Sequence, residues 1–361
     1  MLMSGVFSIL ISLLVFSILV LVHEFGHYYT AVKNGILVEE FAIGMGPVVC
    51  RVKRGETDFT IRALPLGGFC RMLGEDGESD NRRAFSNKNV WQRIVVIISG
   101  PLMNFVFAFI AVFFVTSTAE AIVFPTVSSV LEDSNAAVSG LEEGDRIIKV
   151  NGENIGTYQE LFLVLDGCGG KTLDVVVDRG GEKVQMYIDP VVSSDSRWII
   201  GFSPQVKTGL FSEKVSGYDS MTLGEAVADT FYTMRFYVKS VVVGFVRIFT
   251  LNISPEEIAG PIGVVEIMGE SVQQGLEYSF MDAVRNVLTI AALLSTNLGV
   301  INLFPIPAMD GGRLVFLIIE AIRRKPIAPE REGMIHFMGF VLLMAFMVMI
   351  AYNDISRIIF G

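Results

Sequence analysis

Four stretches of the 361-residue chain, residues 1–22, 94–119, 286–309 and 333–353, contain no Asp, Glu, Lys or Arg and consist mostly of Leu, Ile, Val, Phe and Met. A bilayer core is crossed by about 20 consecutive apolar residues in a helix, so each stretch is long enough to span. A mean hydropathy of +0.55, with 52% apolar and 18% charged residues, excludes an ordinary soluble enzyme. The first stretch lacks a basic flank and a small-residue cleavage site, which separates it from a secretory signal peptide. Three cysteines, Cys50, Cys70 and Cys168, cannot complete a disulfide framework.

Basic residues in short loops stay cytoplasmic. Residues 33–93 hold ten Lys/Arg against eight acids, and Arg323, Arg324, Lys325 and Arg331 lie between the third and fourth spans. Residues 120–230 carry eight basic and eighteen acidic residues, a net of −10. The expected topology has both termini outside and an extracytoplasmic insertion between spans two and three. Residues 48–64 read as a β-hairpin flanked by Gly44, Gly46, Gly67 and Gly68, lying either on the cytoplasmic surface or among the helices. Residues 231–251 are apolar, but Arg235, Lys239 and Arg247 share one helical face, which predicts an interfacial amphipathic helix instead of a fifth span.

Within the insertion, strand-like runs at 147–150, 173–177 and 183–188 are separated or bordered by Asn151-Gly152 and Gly180-Gly181, with a helix expected over 157–165. The run Gly140-Leu141-Glu142-Glu143-Gly144-Asp145-Arg146-Ile147-Ile148-Lys149-Val150-Asn151-Gly152 resembles the PDZ-domain signature. That resemblance implies binding of an extended peptide by strand addition, the alternative being a folded spacer.

The first span is followed by His23-Glu24-Phe25-Gly26-His27. Histidines at i and i+4 on one helical face can share a Zn²⁺, with the glutamate between them available as general base. An ionisable Glu24 at a membrane helix is costly and points to function. A catalytic zinc wants three protein ligands and an open position. The remaining histidine, His336, lies in the fourth span, so a carboxylate is the expected third ligand, from among Glu120, Glu266, Asp282, Asp310 and Glu320. Depth favours Asp310: at about 1.5 Å per residue, it and His23 both come near the cytoplasmic side. Pro305, Pro307, Gly311 and Gly312 should unwind the helix beside it, a break tolerated at membrane depth only where it is buried or lines a cavity. Asp310 could instead simply cap a helix over 311–322.

Together, the intramembrane His-Glu-Phe-Gly-His motif, Gly100-Pro101-Leu102-Met103-Asn104 and Asn302-Leu303-Phe304-Pro305-Ile306-Pro307-Ala308-Met309-Asp310-Gly311 resemble the bacterial site-2 proteases over nearly the whole chain. Gly260-Pro261-Ile262-Gly263 also fits that family, whereas Met309 replaces its usual leucine and a single PDZ signature is present. The resemblance implies that His23, His27 and Asp310 hold one zinc per chain, that Glu24 activates water, and that Asn302 holds substrate backbone. Pro305, Pro307, Gly67 and Gly68 are further candidate substrate-binding positions. The expected fold is a mainly α membrane protein: spans one and two with the hairpin (1–119), a PDZ-like domain (120–205), a linker with the amphipathic helix (206–282), and spans three and four (283–361). The expected activity is zinc-dependent endoproteolysis of single-span membrane proteins, such as trimmed anti-sigma factors, in regulated intramembrane proteolysis at the bacterial inner membrane. A trimmed substrate end could dock at the PDZ-like domain, and no nucleic acid partner is expected. The rival readings are an intramembrane metal transporter and a PDZ-presenting scaffold with a structural metal site.

Overall fold

The computed structural model describes residues 2–75, 77, 79–212, 217–250, 260–325 and 327–360. The chain opens with helix α1 (Leu2–Lys33), the long strands β1 (Val38–Arg54) and β2 (Thr57–Met72), and helix α2 (Val90–Thr118). A β-rich stretch follows, with β3 (Ile122–Val130), α3 (Asn135–Val138), β4 (Arg146–Val150), β5 (Glu153–Asn154), α4 (Tyr158–Asp166), β6 (Leu173–Arg179) and β7 (Glu182–Ile188). It continues through β8 (Val191–Val192), β9 (Trp198–Ile199), β10 (Phe202–Thr208) and β11 (Asp219–Ser220). Helices α5 (Leu223–Phe249), α6 (Pro261–Tyr278), α7 (Phe280–Leu303), α8 (Asp310–Arg323) and α9 (Pro329–Phe360) complete it. Two compact units result, Met1–Ala111 with Ser240–Gly361, and Val112–Lys239.

Among the described residues four helical segments are long and apolar enough to cross a membrane: Phe7–Lys33, Val90–Thr118, Phe280–Leu303 and Glu330–Asp354. They overlap the four uncharged stretches, the third lying at 280–303 where 286–309 was expected. The first also ends later, because α1 continues beyond His27 to Lys33, so the histidine motif lies inside the helix and not at its end. No helix breaker intervenes before Gly35, which takes a left-handed φ of 66° while the Ile36 N–H reaches back to the Ala31 carbonyl at 2.9 Å. The buried stripe of α1 runs through Ser12, Val15, Leu19, His23, His27 and Ala31 at three- and four-residue spacing, while Leu10, Leu14, Ile18, Phe25 and Tyr29 are exposed. The imidazoles therefore sit on the face that packs against protein.

The hairpin is longer than the sequence pattern suggests and folds across itself. Residues Phe41, Ala42 and Ile43 pair with Cys70, Phe69 and Gly68 and also with Phe59, Thr60 and Ile61. Alternating apolar residues at 59 and 61 gave only the inner turn away. The outer arm depends on Gly68, where a Cβ would lie 2.7 Å from the Ala42 carbonyl oxygen. An aromatic cluster of Tyr28, Phe41 and Phe59, with ring centroids 5.4–5.8 Å apart, fastens this sheet to α1.

Helix α6 was not anticipated by the hydropathy pattern. It starts at Gly260-Pro261 without a side-chain cap of its own. The buried Asp354 carboxylate from α9 fills that role, accepting the N–H groups of Gly260, Ile262 and Gly263 at 3.1–3.2 Å. A helix N-terminus is a favourable partner for a carboxylate removed from water.

In the second unit the sheet order is β11-β10-β3-β4-β6-β7. Ile147, Val150, Leu161, Leu173, Val175, Val177 and Ile188 are fully buried in its core. The expected strands and helix fall on β4, β6, β7 and α4. Helix α4 begins with a capping box between Thr157 and Glu160. Glu160 also receives Arg235 of α5 at 2.7 Å, and Lys239 pairs with Glu153. Helix α5 thus forms where a helix was expected, but these two basic residues are engaged by carboxylates of the same unit. Asp145 of the PDZ-like signature is buried and receives Arg179 through Nε and Nη2, each at 2.7 Å, together with the Glu142 N–H.

Burial alone would raise the Asp145 carboxyl, but the paired hydrogen bonds from Arg179 outweigh it and hold the group below the usual carboxylate range. Its ionised form therefore contributes stability above the unfolded value of about 3.9, and that contribution is lost as pH falls through the lower folded value. Arg179→Met leaves a buried charge unpaired. The variant should unfold at lower urea concentration at pH 7, and the gap from wild type should narrow toward pH 3 as the carboxyl protonates. Urea titration of the full chain in detergent, followed through the fluorescence of core-packed Trp198, checks this.

Candidate metal centre and active site

Successive turns of α1 present His23 and His27, whose Nε2 atoms lie 3.2 Å apart. Asp310, the first residue of α8, places Oδ2 3.1 Å from His23 Nε2 and 3.3 Å from His27 Nε2. Ligands at about 2.0–2.1 Å in a tetrahedral zinc site are about 3.3–3.4 Å from one another, so the three atoms fit the triangular face of such a site. Asp310 Oδ2 is buried without an aligned hydrogen-bond donor. Ligand atoms this close, without protons between all of them, repel unless a cation lies among them. The donor set, two imidazoles and a carboxylate, suits zinc.

Helix α2 shapes the space around the imidazoles. His27 Nδ1 donates to the Val96 carbonyl at 2.9 Å, which leaves Nε2 free to ligate. Gly100 lies one turn further along, where an added Cβ would be 2.3 Å from His27 Nε2 and 2.9 Å from His23 Cε1. A carbon at that spot would occupy the volume of the imidazoles themselves. Gly26 in turn brings α1 against α2, since its Cβ would meet the Ser99 carbonyl oxygen at 2.2 Å.

Asp310 arrives through a broken helix. Helix α7 ends at Leu303, with Phe304 extended, and Pro305 and Pro307 occupy the break. The segment folds back over the start of α8: a Cβ on Gly311 would be 2.0 Å from the Phe304 oxygen, and one on Gly312 would be 2.6 Å from the Ile306 oxygen. Ala308 adopts a left-handed φ of 75°, a conformation costly for a residue with a side chain. Its N–H donates to His336 Nδ1 at 2.9 Å, so the third histidine supports the break.

A cavity of about 320 Å³ surrounds the site, lined by His23, Glu24, His27, Asp310, Ile97, Glu75 and the hairpin residues 69–72. Glu24 and Cys70 face the same cavity. The outer arm of the hairpin, residues 68–72, pairs only on the side of residues 38–43, so it forms one flank of the sheet and borders the cavity. Buried Glu40 fixes this sheet through Thr60 and Arg62 at 2.7 and 2.6 Å, with Arg71 at 3.5 Å. Burial would raise Glu40, but Arg62 and Thr60 hold it below the usual carboxylate range. Arg313 of α8 pairs with Glu75, and Arg93 of α2 pairs with Glu320, so both flanks of the ligand-bearing helix are tied to the rest of the site.

The structure brings His23, Glu24, His27 and Asp310 together. Among the other carboxylates considered, Asp282 pairs with Arg285 and Glu320 with Arg93. Asn302 is buried on the last turn of α7, Pro305 and Pro307 lie in the break, and Gly67 and Gly68 lie in β2. None of these five lines the cavity, although Phe69, next to Gly68, does. Sequence reasoning assigned no role to Gly100 or the Glu75–Arg313 pair. Gly100 could have been found from its helical spacing within the Gly100–Asn104 motif.

The family model of peptidase family M50 matches residues 11–346. The chain belongs to this family. The M50 peptidase is 31% identical over 438 residues to the zinc metalloprotease RasP of Bacillus licheniformis, covering 97% of this chain and 99% of that protein. It is 28% identical over 435 residues to the regulator of sigma-W protease RasP of Bacillus subtilis, covering 97% and 99%. A crystal structure of the PDZ domain of an SdrC-like protein from Listeria monocytogenes is 25% identical over 23% of this chain and 85% of that one, with a TM-score of 0.21. The M50 peptidase is a zinc-dependent metalloprotease and a membrane protein.

Because Gly100 is the space into which the imidazoles fit, Gly100→Ala should weaken zinc binding at least as much as the loss of an outer-shell partner does, about 10–100-fold. Zinc per purified chain, measured against a competing chelator, checks this.

Proposed function

We propose that this peptidase cuts single-span membrane proteins within or near their transmembrane helices, in regulated intramembrane proteolysis. The observation that carries the reading is the convergence of His23, His27, Asp310 and Glu24 around one cavity built on membrane-type helices. His23, His27 and Asp310 hold one zinc per chain. Zinc supplies Lewis acidity, making water a stronger acid and the scissile carbonyl a better electrophile. Glu24, which lines the cavity beside the three ligands, takes the proton from the attacking water and passes it to the leaving amine.

A transmembrane helix keeps its amides in internal hydrogen bonds, so the substrate must unwind before attack. The outer arm at residues 68–72 is the segment that receives it, by strand addition beside the cavity. Gly67 and Gly68 let that arm curl toward β1, and Asn302 offers its side-chain amide to substrate backbone from the end of α7, beside the Pro305–Pro307 break.

The role of the Bacillus subtilis relative as a regulator of sigma-W supports a trimmed anti-sigma factor as the substrate class. The charge distribution supports a bacterial cytoplasmic membrane location with the hairpin inside and the acidic insertion outside. The β-rich insertion acts as a PDZ-like domain that receives a trimmed substrate end or screens substrates by size.

Glu24→Gln should retain wild-type zinc and lower cleavage of a single-span model substrate in detergent by about 10²–10⁴-fold. A chelator should abolish cleavage by the wild type. Turnover by Glu24→Gln at the wild-type rate would remove the assignment of the base. A folded, zinc-loaded wild type that leaves the substrate intact but carries zinc into proteoliposomes would replace proteolysis with transport.

A further inference from the structure

Of the two imidazoles, His27 has an evident acceptor for its Nδ1 proton and His23 does not. The His23 Nδ1 atom lies 3.1 Å from Asn104 Nδ2. Asn104 is wholly buried, and among the described residues its Oδ1 has no hydrogen-bond partner. In that orientation the amide N–H donates to Nδ1, which forces the His23 proton onto Nε2, the atom that faces Asp310 and His27. A protonated Nε2 cannot ligate.

The two ends of an asparagine amide are almost the same shape, and turning the group by half a revolution exchanges them. In the turned orientation Oδ1 stands beside His23 Nδ1 and accepts its proton. The orphaned oxygen acquires a donor, and the His23 Nε2 lone pair is freed. Ligating histidines almost always donate their other ring N–H to an acceptor of this kind. Resting on the reading of His23 as a zinc ligand, we infer that Asn104 is a positioning residue whose side-chain oxygen fixes the metal-binding tautomer of His23.

The geometry of α2 makes this assignment systematic. Val96, Gly100 and Asn104 are spaced four residues apart, one turn each, along the face turned toward α1. The Val96 carbonyl serves His27, Gly100 leaves room for both rings, and Asn104 serves His23. The backbone carbonyl of Asn104 accepts the Ser295 hydroxyl at 2.9 Å, which fixes this turn of α2 against α7. Within 94–111 the face of α2 thus supplies both proton acceptors.

Two substitutions separate acceptor from donor. Asn104→Asp keeps an oxygen and loses the N–H, while Asn104→Leu keeps the approximate shape and loses both. Zinc affinity, measured by chelator competition on the full chain in detergent, should fall about 10–100-fold in Asn104→Leu and be retained in Asn104→Asp. Undiminished affinity in Asn104→Leu, or an equal loss in both variants with metal-free melting unchanged, would overturn the inference. The wild type provides a test that no folding defect can obscure: ¹⁵N NMR of histidine-labelled, metal-free protein should show His23 protonated at Nδ1, and protonation at Nε2 would overturn it. His23→Ala separates the underlying reading from the inference. If it binds zinc as tightly as the wild type, His23 is not a ligand; if only it loses zinc and Asn104→Leu does not, His23 ligates without help from Asn104.

Discussion

Two buried imidazoles where α1 meets α2 are the constraint around which the membrane unit is organised. As zinc ligands they would each have to keep one nitrogen unprotonated, and burial leaves the protein to hold the proton on the other. The Val96 carbonyl of α2 accepts that proton from His27, and the packed stripe of α1 carries His23 and His27 in line with Val15, Leu19 and Ala31. A helix pair held only by apolar residues could slide or rotate with little penalty. The Val96 carbonyl bond to His27 fixes the register, and the glycines at 26 and 100 set the distance.

The same reasoning extends to the other polar groups on the spans. Asp354 lies on a helix whose remaining surface is largely exposed, yet it is almost completely buried because the start of α6 supplies three N–H donors. Arg93 and Arg313 end on Glu320 and Glu75. The last two pairs also tie α8 in place. Removing a partner costs more than the pair contributes, since a charge is then left in a poor solvent.

Much of this was legible from the sequence, for an identifiable physical reason. Span positions follow from unbroken apolar runs, the two histidines from i, i+4 spacing, and Asp310 from its proline- and glycine-broken surroundings, all of them local patterns. The PDZ-like signature marked β4 and its turns correctly because strand and turn residues are also local. The folded-back hairpin was only half visible: its outer arm is specified by a close approach of Gly68 to Ala42 and by the aromatic contacts of Phe41 and Phe59 with Tyr28, which are properties of packing. Helix α6 was hidden because its cap, Asp354, comes from about ninety residues away. Arg235 and Lys239 formed a convincing basic face, but sequence periodicity describes which residues share a face and not what that face meets.

The broken third span shows how a discontinuity presents Asp310 to the imidazoles. A residue within a continuous helix is surrounded by its own turns, and its side chain can reach only sideways. At the start of α8, by contrast, Asp310 stands clear of the preceding backbone, and the fold-back permitted by Gly311 and Gly312 turns it toward the imidazoles of α1. The cost is a stretch of backbone between Phe304 and Met309 that lies outside the helical ladder and that lipid could not solvate. Part of that cost is met by His336, which accepts the Ala308 N–H, and part by Ile306 and Met309, whose N–H groups turn back to the Phe304 and Ile306 carbonyls. The two prolines remove donors that would otherwise need partners. The Pro-x-Pro spacing is therefore a solution to the solvation of a break as much as a way of making one.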